Sequence, residues 1–173
     1  MTIRMKVPGA LYADILRDLE RPHPFAAERV GFATGRIGTL TDGRLILLTG
    51  YHCIPDHEYV DDPGVGARIG SASITWAMQA AYYGRPRHEG VFHIHVHGHR
   101  GRTGMSGVDA REIPLMIPGF MSVGREAAHG IIILSLNHGS AWVWLPGEQE
   151  SVRAASMAVI GSPVSVFVEE AGR

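Results

Sequence analysis

The chain reads as one α/β domain over residues 1–173, built on a mixed sheet. Three observations carry that reading. Its 173 residues leave room for one substantial core. A hydrophobic share of 45% with a charged share of 19% is ordinary globular composition and excludes disorder. Alternating apolar runs come in pairs joined by turn residues, and helical stretches lie between the pairs, which is the order of a mixed sheet flanked by helices.

The elements follow in order. Thr2 to Val7 alternates as a short strand and ends at Pro8-Gly9. From Ala10 to Glu20, Leu11, Ile15 and Leu19 fall at helical spacing, and Pro22 and Pro24 end that helix. Glu28 to Ile37 and Arg44 to Ile54 form a hairpin around Thr41-Asp42-Gly43. Residues 55–70 hold two prolines with several acids and glycines, the composition of an irregular loop. Ser71 to Tyr83 is a helix that turns Ile74, Met78 and Ala81 inward. Gly90 to Gly98 is a strand, and His99 to Met105 is a glycine- and arginine-rich loop. Ser106 starts a helix that Pro114 and Pro118 are expected to kink or end. Gly130 to Leu136 and Ala141 to Leu145 make a second hairpin, and Val164 to Val168 a last strand.

Charge and composition narrow the function. A net charge of −1 gives no global field toward nucleic acid or an anionic membrane. Lys6 is the only lysine, a bias attributable to genomic base composition. Cys53 is the only cysteine, so no internal disulfide forms and a reducing compartment is expected. Met1 to Val7 carries no apolar leader and no run of 18 apolar residues exists, so the expected location is the cytoplasm.

The chemistry concentrates at Val91-Phe92-His93-Ile94-His95-Val96-His97-Gly98-His99. Alternate side chains of a strand share a face, so the four histidines line one side while Phe92, Ile94 and Val96 enter the core. A lone histidine is usually structural; four in alternation running into a glycine loop point to a metal or to catalysis. Two of them can converge on one cation, with Asp109 adding an anionic oxygen. Two imidazoles, one carboxylate and an open position define a catalytic zinc site. With His95, His97 and Asp109 as ligands, a carboxylate that is not a ligand is still needed to move a proton. Glu28, at the start of its strand, is the best-placed candidate, although alone it carries almost no signal. Ser106-x-x-Asp109 by itself is a helix N-cap pattern; beside the histidines, Ser106 is also a candidate donor to a developing oxyanion.

Glu28 ahead of Gly31-Phe32-Ala33-Thr34-Gly35, then His95-Val96-His97-Gly98, then Ser106-Gly107-Val108-Asp109, resembles the JAMM signature of the MPN/JAB metalloprotease family. That signature is an early glutamate, His-x-His-Pro and Ser-x-x-Asp. The resemblance covers roughly residues 1–146. It implies the cytidine deaminase-like MPN/JAB fold, and a zinc isopeptidase that cuts after the C-terminal glycine of ubiquitin or a ubiquitin-like protein. It implies Glu28 as general base, His95, His97 and Asp109 as zinc ligands, and Ser106 as the oxyanion-side serine. The implied partner is a ubiquitin-like modifier and its conjugates; prokaryotic members often sit beside conjugation enzymes, some in antiviral defence systems. The modifier's diglycine tail would lie extended beside a strand edge.

The chain departs from the signature at three points. Gly98 stands where the family has proline, eleven residues separate His97 from Asp109 where the family usually has ten, and His93 and His99 are extra. A second register, His97 with His99, therefore stays open beside His95 with His97. His99, Arg100 and Arg102 either rim the cleft or belong to a solvated loop. Two other functions compete. One is a non-catalytic MPN scaffold. The other is a histidine-triad nucleotide hydrolase built on His93-Ile94-His95-Val96-His97; Gly98-His99 does not fit that pattern, and it has no use for Glu28 or Asp109. Of the remaining groups, His52, Cys53, Asp56, His57 and Glu58 match no zinc spacing and read as loop and strand end, with Cys53 in the core. Trp76, Met78, Tyr82 and Tyr83 read as core, and Trp142 and Trp144 share one strand face.

Overall fold

The structure is a computed structural model that describes residues 1–22, 24, 28–61 and 66–169. Nine strands form one sheet: β1 (Thr2–Pro8), β2 (Val30–Leu40), β3 (Gly43–Cys53), β4 (Glu89–Val96), β5 (His129–Leu134), β6 (Gly139–Trp144), β7 (Ser151–Arg153), β8 (Ser156–Ile160) and β9 (Ser165–Val168). Three helices flank it: α1 (Gly9–Leu19), α2 (Ser71–Gly84) and α3 (Gly107–Val123). The strand order is β7-β6-β5-β4-β2-β3-β1-β8-β9. β1 runs parallel to β3 and β8, and β4 parallel to β5; the other neighbours are antiparallel. The architecture is thus the expected mixed α/β sheet with helices on both faces.

The sheet curls. Between β7 and β8 the chain crosses from one end of the sheet to the other: Ala154 N–H bonds the Ala141 carbonyl, and Ala155 N–H bonds the Ile3 carbonyl. Inside the curl, Met5, Ile46, Phe92, Ile94, Ile132 and Met157 pack with Ile15 and Leu19 of α1. On the opposite face Phe32, Val91, Ile131 and Ile133 pack with Ala77 and Ala81 of α2 and Ile113, Ile117 and Phe120 of α3. All six residues of β5 are buried, as a strand covered on both faces requires. Each Ile, Leu or Phe so buried contributes about 1.5–3 kcal/mol.

Several expectations need correcting. The β2 ladder begins at Val30, two residues after Glu28. In α2 the inward-facing trio holds: Ala81 is fully buried and Ile74 and Met78 pack half-buried against the core, while Ser73, Ala77 and Gly84 are buried as well and let the helix lie close on the sheet. Tyr82 and Tyr83 are exposed, because they fall on the helix face opposite that contact. Cys53 is exposed at the end of β3. Neither Pro114 nor Pro118 ends α3, which runs through both. The two prolines sit four residues apart on the solvent face, so the carbonyls they cannot bond, those of Ala110 and Pro114, belong to residues bathed in water. β7 and β8 were not anticipated. Among the described residues, no helix is long and apolar enough to cross a membrane.

Candidate metal centre

The pleat of β4 sends Phe92 and Ile94 into the curl and His93, His95 and His97 toward α2 and α3. Antiparallel pairing sets Val30 opposite His95, so extending the register by two residues brings Glu28 alongside His97. The loop from 97 to 105 then carries the chain to α3, whose first turn bears Asp109. Ser106 and Asp109 close a capping box: Ser106 Oγ accepts from Asp109 N–H at 3.1 Å, and Ser106 N–H donates to Asp109 Oδ2 at 2.8 Å. The N-cap pattern and the acidic oxygen are therefore one device, since the cap aims the carboxylate at the histidines.

His95 Nε2 lies 3.1 Å from His97 Nε2. Asp109 Oδ2 lies 3.6 Å from the first and 3.9 Å from the second. A point equidistant from the three atoms is about 2.1 Å from each, the length of a zinc–nitrogen or zinc–oxygen bond. A carboxylate oxygen of Glu28 also lies within 4.8 Å of a ring nitrogen of His95 and of His97, and Glu28, His95 and His97 form a group that could hold a metal ion. His95 is 0% exposed, and its Nδ1 finds no hydrogen-bond partner among the described residues.

The charges suit this set. Burial opposes ionisation of Asp109, but the His95 hydrogen bond and charge, with the amide and hydroxyl of Ser106, outweigh it and hold the carboxyl well below the usual range. Burial, then the neighbouring His95 charge, keeps His97 below its ordinary value, so it is neutral as a ligand must be. Burial raises Glu28 above its ordinary value, with Asp109 adding to the shift and His95 opposing it. Of two carboxylates at one site, the charges around Asp109 thus favour its ionised form, while burial disfavours ionisation of Glu28.

The remaining candidates fall as follows. His93 forms part of the wall of an adjoining cleft, edge-on to Phe32 with ring centroids 5.8 Å apart; burial, with the His95 charge adding, pushes it down to about 3. His99 is exposed past the strand end, and its Nδ1 faces the Arg100 carbonyl. The structure thus brings His95 and His97 to Asp109, and leaves His99 outside. Arg102 pairs with Glu169 at 3.7 Å. His52 stacks on Trp76, Asp56 pairs with Arg29, and Glu58 accepts from Ser73 N–H at the start of α2, so that cluster is structural where described. Trp144 is buried, and the half-buried Trp142 carries the Arg153 guanidinium over its ring.

Two contributors escaped the sequence reading. Arg29, 2% exposed, donates to the Arg21 carbonyl at 2.9 Å and pairs with Asp56 at 2.8 Å. Tyr59 grips the backbone of Val30 through both its N–H and its carbonyl, each at 3.0 Å. With the bond from Glu28 N–H to the Gly66 carbonyl, these contacts fix the short segment that presents Glu28. Their partners are 8 to 38 residues away in sequence, so no local pattern announces them.

No protein-family model matches the chain, and no curated protein matches it significantly.

Proposed function

We propose that the protein is a zinc hydrolase of the JAMM type, on an MPN/JAB fold, that cleaves after the C-terminal glycine of a ubiquitin-like modifier in the cytoplasm. The observation that supports it best is the convergence of His95 Nε2, His97 Nε2 and Asp109 Oδ2 at zinc-bond distance from one point, with the Glu28 carboxyl beside them. In this reading His95, His97 and Asp109 hold the ion. Bound there, zinc supplies Lewis acidity, lowering the pKa of a coordinated water to about 7 and polarising a carbonyl. Glu28 accepts the proton of the attacking water on a carboxylate oxygen and delivers it to the departing amine. A raised pKa suits a group that must first take and then give a proton near neutrality. The Ser106 hydroxyl, which accepts the Asp109 amide at the start of α3, is the group proposed to donate to the carbonyl oxygen as charge develops there. The histidine-triad reading loses support because its nucleophile, His95, is fully buried against His97.

Metal analysis and a cleavage assay on a modifier fused through its diglycine to a short tail test the proposal. One zinc per chain is expected, with His95→Ala and Asp109→Ala losing it. Glu28→Gln is expected to keep the zinc and to lose cleavage by roughly 10²–10⁴-fold. Full zinc in the ligand variants, or full turnover by Glu28→Gln, would sink it.

A further inference from the structure

Beside the metal centre a cleft of about 420 Å³ opens between residues 66–69 and α3. Val30, Ile69, Ile113 and Met116 make much of its wall, His93, Arg68 and Glu112 also line it, and Glu28 and Asp109 belong to both the cleft and the metal centre. At the α3 side Leu115, 73% exposed, extends the apolar surface into solvent. Glycine has no side chain to occupy such a space. A mostly apolar cavity of this size with a few polar groups is how proteins hold an apolar ligand group while placing a polar one. Because Glu28 and Asp109 belong to both the cleft and the metal centre, whatever occupies the cleft is joined to whatever reacts.

We infer that the cleft is a specificity pocket for a bulky apolar side chain within two residues of the cleaved amide, so that the substrate is an extended peptide with a leucine-like residue there rather than glycines alone. The inference rests on the hydrolase reading for its reaction, but not for its binding. Burial of one leucine-sized side chain is worth roughly tenfold or more in affinity.

Peptide binding to the Glu28→Gln protein loaded with zinc, followed by methionine-methyl NMR and calorimetry, decides it. The probes are Gly-Gly-Gly-Gly-Gly-Lys and its variants with one leucine at each glycine in turn. At one position leucine is expected to tighten binding at least about tenfold and to shift the Met116 methyl signal. Met116→Trp, which fills the cleft from α3, should remove that gain while zinc is retained. Met116→Ala, which enlarges it, should move the preference from leucine to phenylalanine. Equal affinity for all the peptides, or a leucine gain that survives Met116→Trp, overturns the inference. If wild-type protein cleaves none of the peptides or modifier fusions, the hydrolase reading fails, and the affinity comparison still judges the cleft.

Discussion

A methyl group added at Gly66 would fall 2.5 Å from Oε1 of Glu28. The obstruction is the end of a flexible side chain, so the fold can yield by moving the carboxyl rather than the backbone. Gly66→Ala is therefore expected to leave stability within about 0.5 kcal/mol, as for an ordinary loop change, and to leave the zinc in place. Turnover should fall about 100-fold, because displacing a catalytic group by an ångström costs that much. A melting curve, metal analysis and initial rates check it together; unchanged turnover would mean that Glu28 does not act from its present position. His95 and His97 were legible because two-residue spacing on a strand fixes a shared face, and Asp109 because Ser106 three residues earlier fixes a helix start. Gly66 and Arg29 were illegible because the loop that meets Glu28 is folded by contacts remote in sequence.

Between elements, His129 ties α3 to the sheet. Its Nδ1 accepts from Val91 N–H of β4 at 3.1 Å, and its Nε2 faces the Gly124 carbonyl, at the end of α3, at 3.0 Å. Nδ1 must carry the lone pair, so the buried ring is the neutral Nε2–H tautomer. Burial lowers its pKa below the ordinary 6.5 despite the opposing hydrogen bonds. The sign follows. Below pH 6.5 the unfolded chain binds a proton that the folded ring resists, so the ring's contribution is full above that pH and declines as pH falls beneath it. One such group can steepen the pH dependence by at most about 1.4 kcal/mol per pH unit. His93, half-buried in the cleft wall and lowered in the same direction, adds to the wild-type slope. The diagnostic quantity is therefore a difference: His129→Gln should flatten the fall of stability as pH drops below 6.5, by no more than that limiting slope, in denaturant titrations. Equal slopes in the two proteins would show that His129 is not the group titrating. Elements themselves were legible wherever periodicity was local, as in α1, the β2–β3 hairpin and β4. The start of α3 at Ser106 was legible but its length was not, because exposure of Pro114 and Pro118, which depends on how the helix packs, decides whether their missing bonds matter.

At the scale of the molecule, the curl of the sheet was the feature least visible in sequence. β7 has three residues, β8 pairs in parallel with β1 from the opposite end of the chain, and no local turn encodes that crossing. The candidate metal centre, by contrast, draws on neighbouring segments of one sheet face: Glu28 just before β2, His95 on β4, His97 just past it, and Asp109 in the first turn of α3. The unfolded chain does not hold His95, His97 and Asp109 together, so zinc that binds the folded form must raise the melting temperature by mass action. Zinc at about 100 times its dissociation constant adds about 2.7 kcal/mol, and at about 2–4 °C per kcal/mol for a chain of this length the midpoint should rise by about 5–11 °C. Asp109→Ala should lose most of that rise and Glu28→Gln should keep it. The opposite pattern, a rise that survives Asp109→Ala and vanishes in Glu28→Gln, would make Glu28 the third ligand alongside His95 and His97. It would leave Asp109 as the free carboxylate and reverse the two roles, because only a group that touches the ion can couple it to folding.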